Sequence, residues 1–146
     1  MGRIVVGVDG SEGSLQALRF AAEEARFRNG QLETVAVWEY PAGLYAGEGW
    51  AVATTEALDQ ARVHAERSLA AAVDGLGPAL EGVRVEQRVI EGRPAAALLK
   101  QAEGADLLVV GSRGHSGFVG LLLGSVSQQC AHHAPCPVVI VPPLRR

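Results

Sequence analysis

Apolar residues fall along this chain in two alternating rhythms. Ile4-Val5-Val6-Gly7-Val8 is a short unbroken run ended by the turn-forming Asp9-Gly10-Ser11. A run without polar alternation suits a parallel strand covered on both faces. The apolar positions then shift to helical spacing, with Leu15, Leu18, Ala21, Ala22 and Ala25 on one side. Ser11 or Ser14 caps this helix and Asn29-Gly30 stops it. Thr34 to Trp38 predicts a second strand. Leu58, Ala61, Ala65, Leu69 and Ala72 mark a second helix over Glu56 to Val73, closed by Gly75-Leu76-Gly77-Pro78. Val83, Val85, Gln87 and Val89 alternate with Arg84, Glu86 and Arg88, the pattern of a strand with one wet face near a sheet edge. Pro94 opens a third helix that Gly104 ends. Leu107 to Val110 and Pro137 to Val141 are two further strands, and Ser125 to His133 between them reads as a helix.

The order βαβαβαβαβ, with helix-length connections, predicts a single α/β domain over 1–146. Its frame is one open, doubly wound, five-stranded parallel sheet with helices on both faces, Rossmann-like in plan. The stretch Glu39 to Thr54 fits neither rhythm. It holds Pro41, three glycines, Tyr40, Tyr45 and Trp50, the makeup of a lid or binding loop. Tyr45 and Trp50 either stack on a ligand or anchor the loop to the core.

Composition narrows the class of ligand. The 146 residues carry a net charge of −3 and one lysine, Lys100, which gives no electrostatic footprint for nucleic acid or an anionic membrane. The apolar runs fall short of the roughly 20 residues that span a bilayer. MGRIVVGVDG has no secretory leader, so a cytoplasmic location is expected. Cys130 and Cys136 are too few for a disulfide framework.

Candidate chemistry concentrates after the fourth strand, in GSRGHSGFVGLLLGS, Gly111 to Ser125, with five glycines and no lysine. Glycines admit positive φ and open the backbone N–H groups to a ligand. Ser125 suits a helix N-cap, and Gln128 stands at capping-box spacing from it. The helix beyond would direct free N–H groups and a positive dipole end at the loop, worth about 0.3–1 kcal/mol to an anion from the dipole alone. Ser125 and Ser127 add hydroxyl donors, and Arg113 a mobile positive charge.

Ligands of open α/β sheets sit beyond the carboxyl ends of the strands, where strand order reverses. With strands one and four as neighbours, Asp9-Gly10-Ser11 faces the glycine-rich stretch. Asp9 can accept from ribose hydroxyls or help hold Mg²⁺. Together these groups suggest a nucleotide. The plainer account, glycines serving tight turns and Ser125 capping a helix, explains either loop alone but not their convergence.

Gly111-Ser112-Arg113-Gly114, nine residues and then Gly124-Ser125 is the G-x2-G-x9-G-[S/T] pattern of nucleotide-binding universal stress proteins, and the chain resembles that family over nearly its whole length. Ile4 to Ser11, Ala105 to Gly114 and Cys136 to Val141 are similar to the family's first and later strands. The resemblance implies strand order 3-2-1-4-5, a homodimer joined through the last strand at 137–141, and ATP bound with Mg²⁺ or Mn²⁺. It puts Asp9, with Gly10 and Ser11, near the ribose and adenine, and Val37 against the adenine. It puts Gly111, Gly114, Gly124 and Ser125 on ribose or phosphates, with Arg113, Val126 and Ser127 beside them.

An ATP-binding regulatory protein without a catalytic residue is the expected function. The stretch offers no evident general base to activate water and no assignable arginine finger. AMP or a cyclic nucleotide is the alternative ligand. A nucleotidyl-transferring or ATP-activating enzyme would need acid–base groups for which only His115 and Arg113 are local candidates. His132, His133, Cys130 and Cys136 lack the spacing of a metal site, and histidines at a helix end answer its dipole. Leu121-Leu122-Leu123 packs beneath the loop or at a dimer contact.

Overall fold

The computed structural model of the chain describes residues 2–39, 55–113 and 123–143. In chain order the elements are β1 (Arg3–Gly7), α1 (Glu12–Phe27), β2 (Gln31–Trp38), α2 (Thr55–Leu76) and a 3₁₀ turn (Gly77–Leu80). They continue as β3 (Arg84–Glu91), α3 (Pro94–Gln101), β4 (Leu107–Gly111), α4 (Ser125–His133) and β5 (Val138–Val141). The five strands form one sheet in the order β3-β2-β1-β4-β5, every pairing parallel. The expected α/β, Rossmann-like architecture and its strand order are both met.

The unbroken apolar runs are explained by two cores, one on each face of the sheet. Ile4, Val6, Leu32, Ala36, Leu107 and Val109 point to α1 and α2, where they meet Leu18, Ala21, Ala22 and Leu69. Their strand neighbours Val5, Val35, Leu108 and Val110 point the other way, to Leu98 of α3 and Cys130 of α4. Alternation along each strand therefore feeds both cores. Each fully buried leucine- or valine-sized side chain contributes about 1.5–3 kcal/mol, so β1 and β4, apolar on both faces, are the natural centre.

Two of the boundaries differ from the sequence pattern for a local reason, and a third is made in an unexpected way. β2 begins at Gln31, three residues early, because Glu33 is buried in an ion-paired cluster and does not end the strand. α2 continues through Gly75 to Leu76 and turns out only at Gly77, whose φ is 46°. α1 stops as expected, but the left-handed residue is Asn29 at φ 54°. The N–H groups of Asn29 and Gly30 donate to the carbonyls of Arg26 and Ala25, the two bonds of a Schellman motif. Gly30 is glycine for a different reason: a side chain there would strike the carbonyl of Gly2. Among the described residues no helix is long and apolar enough to cross a membrane.

Candidate functional site

β1 and β4 are hydrogen-bonded neighbours, yet their crossovers lead to β2 on one side and to β5 on the other. The two connecting segments part above that seam, which makes it the switch point at the carboxyl end of the sheet where open α/β folds take their ligands. The turn after β1 forms one wall. An oxygen of Asp9 (Oδ1) accepts from the N–H of Ser11 at 2.8 Å, and Gly10 turns the chain with φ 84°. Ser11 is the N-cap of α1, its Oγ accepting from the N–H of Ser14 at 3.2 Å. The Ser14 hydroxyl donates back to the Ser11 carbonyl at 3.0 Å and accepts from the N–H of Asp9 at 3.2 Å. Of the two expected caps, Ser11 performs the capping and Ser14 braces the turn. Asp9 and Gly10 are exposed at this braced corner.

The opposite wall is the start of α4, and here the expectation for Ser125 is corrected. The N-cap is Gly124, and Ser125 is the first helical residue, so the Ser125–Gln128 capping box does not form. The Gln128 N–H instead donates to the Gly124 carbonyl as the first helical bond. Among the described residues no side chain caps this helix, and the N–H groups of Ser125, Val126 and Ser127 have no partner within the helix itself. Gly124 has φ −76°, a conformation open to any residue. Its value is the clear approach it leaves to those N–H groups, not left-handed freedom.

Ser127 is corrected too. Its side chain is buried, and its hydroxyl lies 3.0 Å from both the Ser112 and the Gly124 carbonyls. It fastens the end of β4 to the start of α4; what it can offer a ligand is its backbone N–H. Ser112, a variable position of the glycine pattern with no signal of its own in the sequence, is the hub of this junction. It is buried, its N–H donates to Val141 of β5, and its carbonyl accepts from the Gly124 N–H at 2.6 Å.

Gly111 also acts through packing. A side chain there would meet the Gly13 backbone of α1 at 2.8 Å, so the glycine lets β4 press against the first turn of that helix. Arg113 is exposed beyond it. Val37 is half-buried in β2 and packs on the core shared with α3 and α4, two strands from β4. Ser125 is exposed at the head of α4 and Val126 is half-buried on that same core. The structure thus gathers Asp9, Gly10, Ser11, Gly111, Arg113, Gly124, Ser125, Val126 and Ser127 around the β1–β4 seam. Gly114, His115, Tyr40, Pro41, Tyr45, Trp50, Leu121 and Leu122 lie outside the described residues.

Among the described residues no three His, Cys, Asp or Glu side chains converge as a metal site would require. His132 and His133 are exposed in the last turn of α4. Cys130 is buried, and that burial, with the nearby Cys136 second, pushes its thiol up to about 11. Burial also raises the Cys136 thiol, against the opposing pull of Arg3. Both are neutral thiols at neutral pH, and Cys130 serves as a small apolar core group.

A parallel sheet whose strand order reverses at its β1–β4 seam, with a braced acidic turn on one side and a glycine-capped helix N-terminus on the other, defines a Rossmann-like α/β domain. The chain belongs to the universal stress protein family, whose sequence model matches residues 1–142. A universal stress protein of Thermus aquaticus is 38% identical over 141 residues, covering 94% of this chain and 96% of that protein. One from Mycobacterium tuberculosis is 34% identical over 138 residues, 94% of this chain but 44% of that protein, so the chain spans less than half the length of its mycobacterial relative. A universal stress protein solved in complex with cAMP is 32% identical, with a TM-score of 0.60 over 96% of this chain and 95% of that one.

Proposed function

We propose that this chain is a nucleotide-binding regulatory protein that holds ATP, with Mg²⁺ or Mn²⁺, across the β1–β4 crevice. The observation that carries the reading is the start of α4, where the N-cap is Gly124 and no described side chain caps the N–H groups of Ser125, Val126 and Ser127, at the end of the sheet where Asp9 is exposed. N–H groups and a positive dipole end favour a phosphate, and a carboxylate across the crevice favours ribose hydroxyls. In this reading Val37, Gly10 and Ser11 flank the nucleoside, and Gly111, Arg113 and Gly114 flank the phosphates. With no trio of ligating side chains among the described residues, the metal would be held mainly by phosphate oxygens and water, as Mg²⁺ commonly is.

The output is a change in conformation or assembly, with turnover slow at most. The glycine-rich stretch has no lysine to fix the outer phosphates, which suits holding a nucleotide more than cleaving it. Assembly would be a homodimer joined through β5, in the cytoplasm. β5 is a sheet edge made only of Val138, Val139, Ile140 and Val141, each half-buried, and such an edge calls for a partner strand.

One observation favours a second ligand: the cAMP complex of a protein 32% identical to this chain. A cyclic monophosphate would use the ribose and first-phosphate contacts alone. Calorimetric titration with ATP, AMP and cAMP separates the two. ATP binding strengthened by Mg²⁺ supports the first reading, and cAMP binding with ATP excluded supports the second.

A further inference from the structure

α1 begins with a residue that its helix does not want. Gly13 lies in the first turn of α1, where glycine is a poor helix former, and its φ is not among the positive ones that require glycine. Space explains it. A Cβ at Gly13 would come within 2.6 Å of the Arg113 carbonyl, closer than side-chain carbons approach oxygen. The reciprocal contact is just as tight: a Cβ at Gly111 would meet the Gly13 carbonyl carbon and oxygen at 2.8 Å and the Ser14 N–H nitrogen at 3.2 Å. The first turn of α1 and the segment leaving β4 therefore touch backbone to backbone. The Arg113 oxygen that crowds Gly13 is main chain, so it cannot rotate away as a side-chain tip would.

From this contact we infer that Gly13 is a positioning residue for the nucleotide site, an inference that rests on the nucleotide reading above. Gly13 lets Ser112 and Arg113 settle on α1. Ser112 in turn holds the start of α4 through the Gly124 N–H at 2.6 Å and the Ser127 hydroxyl at 3.0 Å. The chain of contacts runs from α1 through the β4 end to the uncapped α4 N-terminus, and it ties the Asp9 wall to the phosphate wall. Adding one methyl group at Gly13 displaces Arg113 and transmits the shift to Gly124, although Gly13 itself touches no ligand.

The test is Gly13→Ala against Gly75→Ala. Gly75 is the like-for-like control, a helical glycine of α2 with nothing within 4 Å of an added Cβ. Both substitutions improve helix propensity, so a merely helical role predicts the same outcome for both. The inference expects Gly13→Ala to weaken ATP binding about tenfold, the loss of roughly one good hydrogen bond. It also expects the Gly124 amide of the ligand-free protein to exchange with solvent faster, while Gly75→Ala changes neither. A Gly13→Ala protein with wild-type affinity and unchanged Gly124 exchange overturns it. Failure of Gly13→Ala to fold where Gly75→Ala folds overturns it as well, making Gly13 a folding residue. If the wild type binds no adenine nucleotide, the nucleotide reading falls, and the exchange measurement still decides whether Gly13 positions the loop.

Discussion

The two ends of the sheet are both polar, and they use their polarity in opposite ways. Towards the amino end, Glu33 is 2% exposed, with one oxygen 3.0 Å from Arg3 and the other 3.4 Å from Arg88. The Gln101 amide donates to the same carboxylate. Arg3 reaches on to the carbonyls of Gln101 and Glu103, and its N–H donates to Asp106 at 2.7 Å. Each group there answers another group of the chain. At the carboxyl end the side chains of Ser11, Ser14 and Ser127 are likewise spent on the backbone, yet the start of α4 is left uncapped. One polar end is closed on itself and holds the fold; at the other, the described side chains leave the first N–H groups of α4 unanswered, and such groups are what a ligand can use.

That contrast can be broken at either end, and the largest effect is expected at the open one. Gly124→Val puts a branched side chain over the N–H groups at a φ valine tolerates. It should cost about 100-fold or more in nucleotide affinity, ~2.7 kcal/mol, with the circular dichroism spectrum and melting cooperativity retained. Unchanged affinity would take the α4 terminus out of the site.

The closed end should answer in stability instead. Glu33→Ala leaves Arg3 without its carboxylate and Arg88 with Glu86 alone. Because those arginines are 28% and 46% exposed, the loss should fall below that of a fully buried pair, about 2–3 kcal/mol of unfolding free energy. Denaturant melts read that loss, and nucleotide affinity of the folded variant should match the wild type. A variant as stable as wild type would mean the cluster does not hold the fold.

Smaller effects sharpen the picture. Asp9→Ala should weaken ATP and AMP alike, by about tenfold, because it removes a nucleoside contact and one brace of the turn. A loss confined to ATP would move Asp9 to the metal or outer phosphates. Ser127→Ala removes one fastening of the β4–α4 junction while the Gly124 N–H bond remains. It should cost about 1 kcal/mol of stability and only a few-fold in affinity, equal for ATP, AMP and cAMP. A loss for ATP alone would return the hydroxyl to the phosphates.

Much of this was legible in the chain because apolar runs and helical stripes report burial directly. The unbroken runs at Ile4–Val8 and Leu107–Val110 marked the central strands, and the wet alternation at Arg84–Arg88 marked an edge. Glu33 hid the start of β2, since a buried carboxylate reads as solvent until its two arginines are seen across the sheet. At the candidate site, the Gly111–Ser125 spacing pointed to the segment that joins β4 to α4 but not to how its hydroxyls are used. Ser125 and Ser127 have the chemistry of a cap and a ligand donor; the fold instead caps α4 with Gly124 and turns the Ser127 hydroxyl onto Ser112. Gly13 carried its signal in the sequence as a glycine in a helix's first turn, but what fills the space beside it, a carbonyl a hundred residues away, only the fold provides.

The most direct test of the open crevice is calorimetric titration of the wild-type protein with ATP, AMP and cAMP, with and without Mg²⁺, beside the same titrations of Gly124→Val. Saturable binding of adenine nucleotide at one site per chain is expected, led by ATP with Mg²⁺ and abolished by the valine. A folded wild-type protein that binds none of the three, or a valine variant that binds as well as wild type, would contradict it.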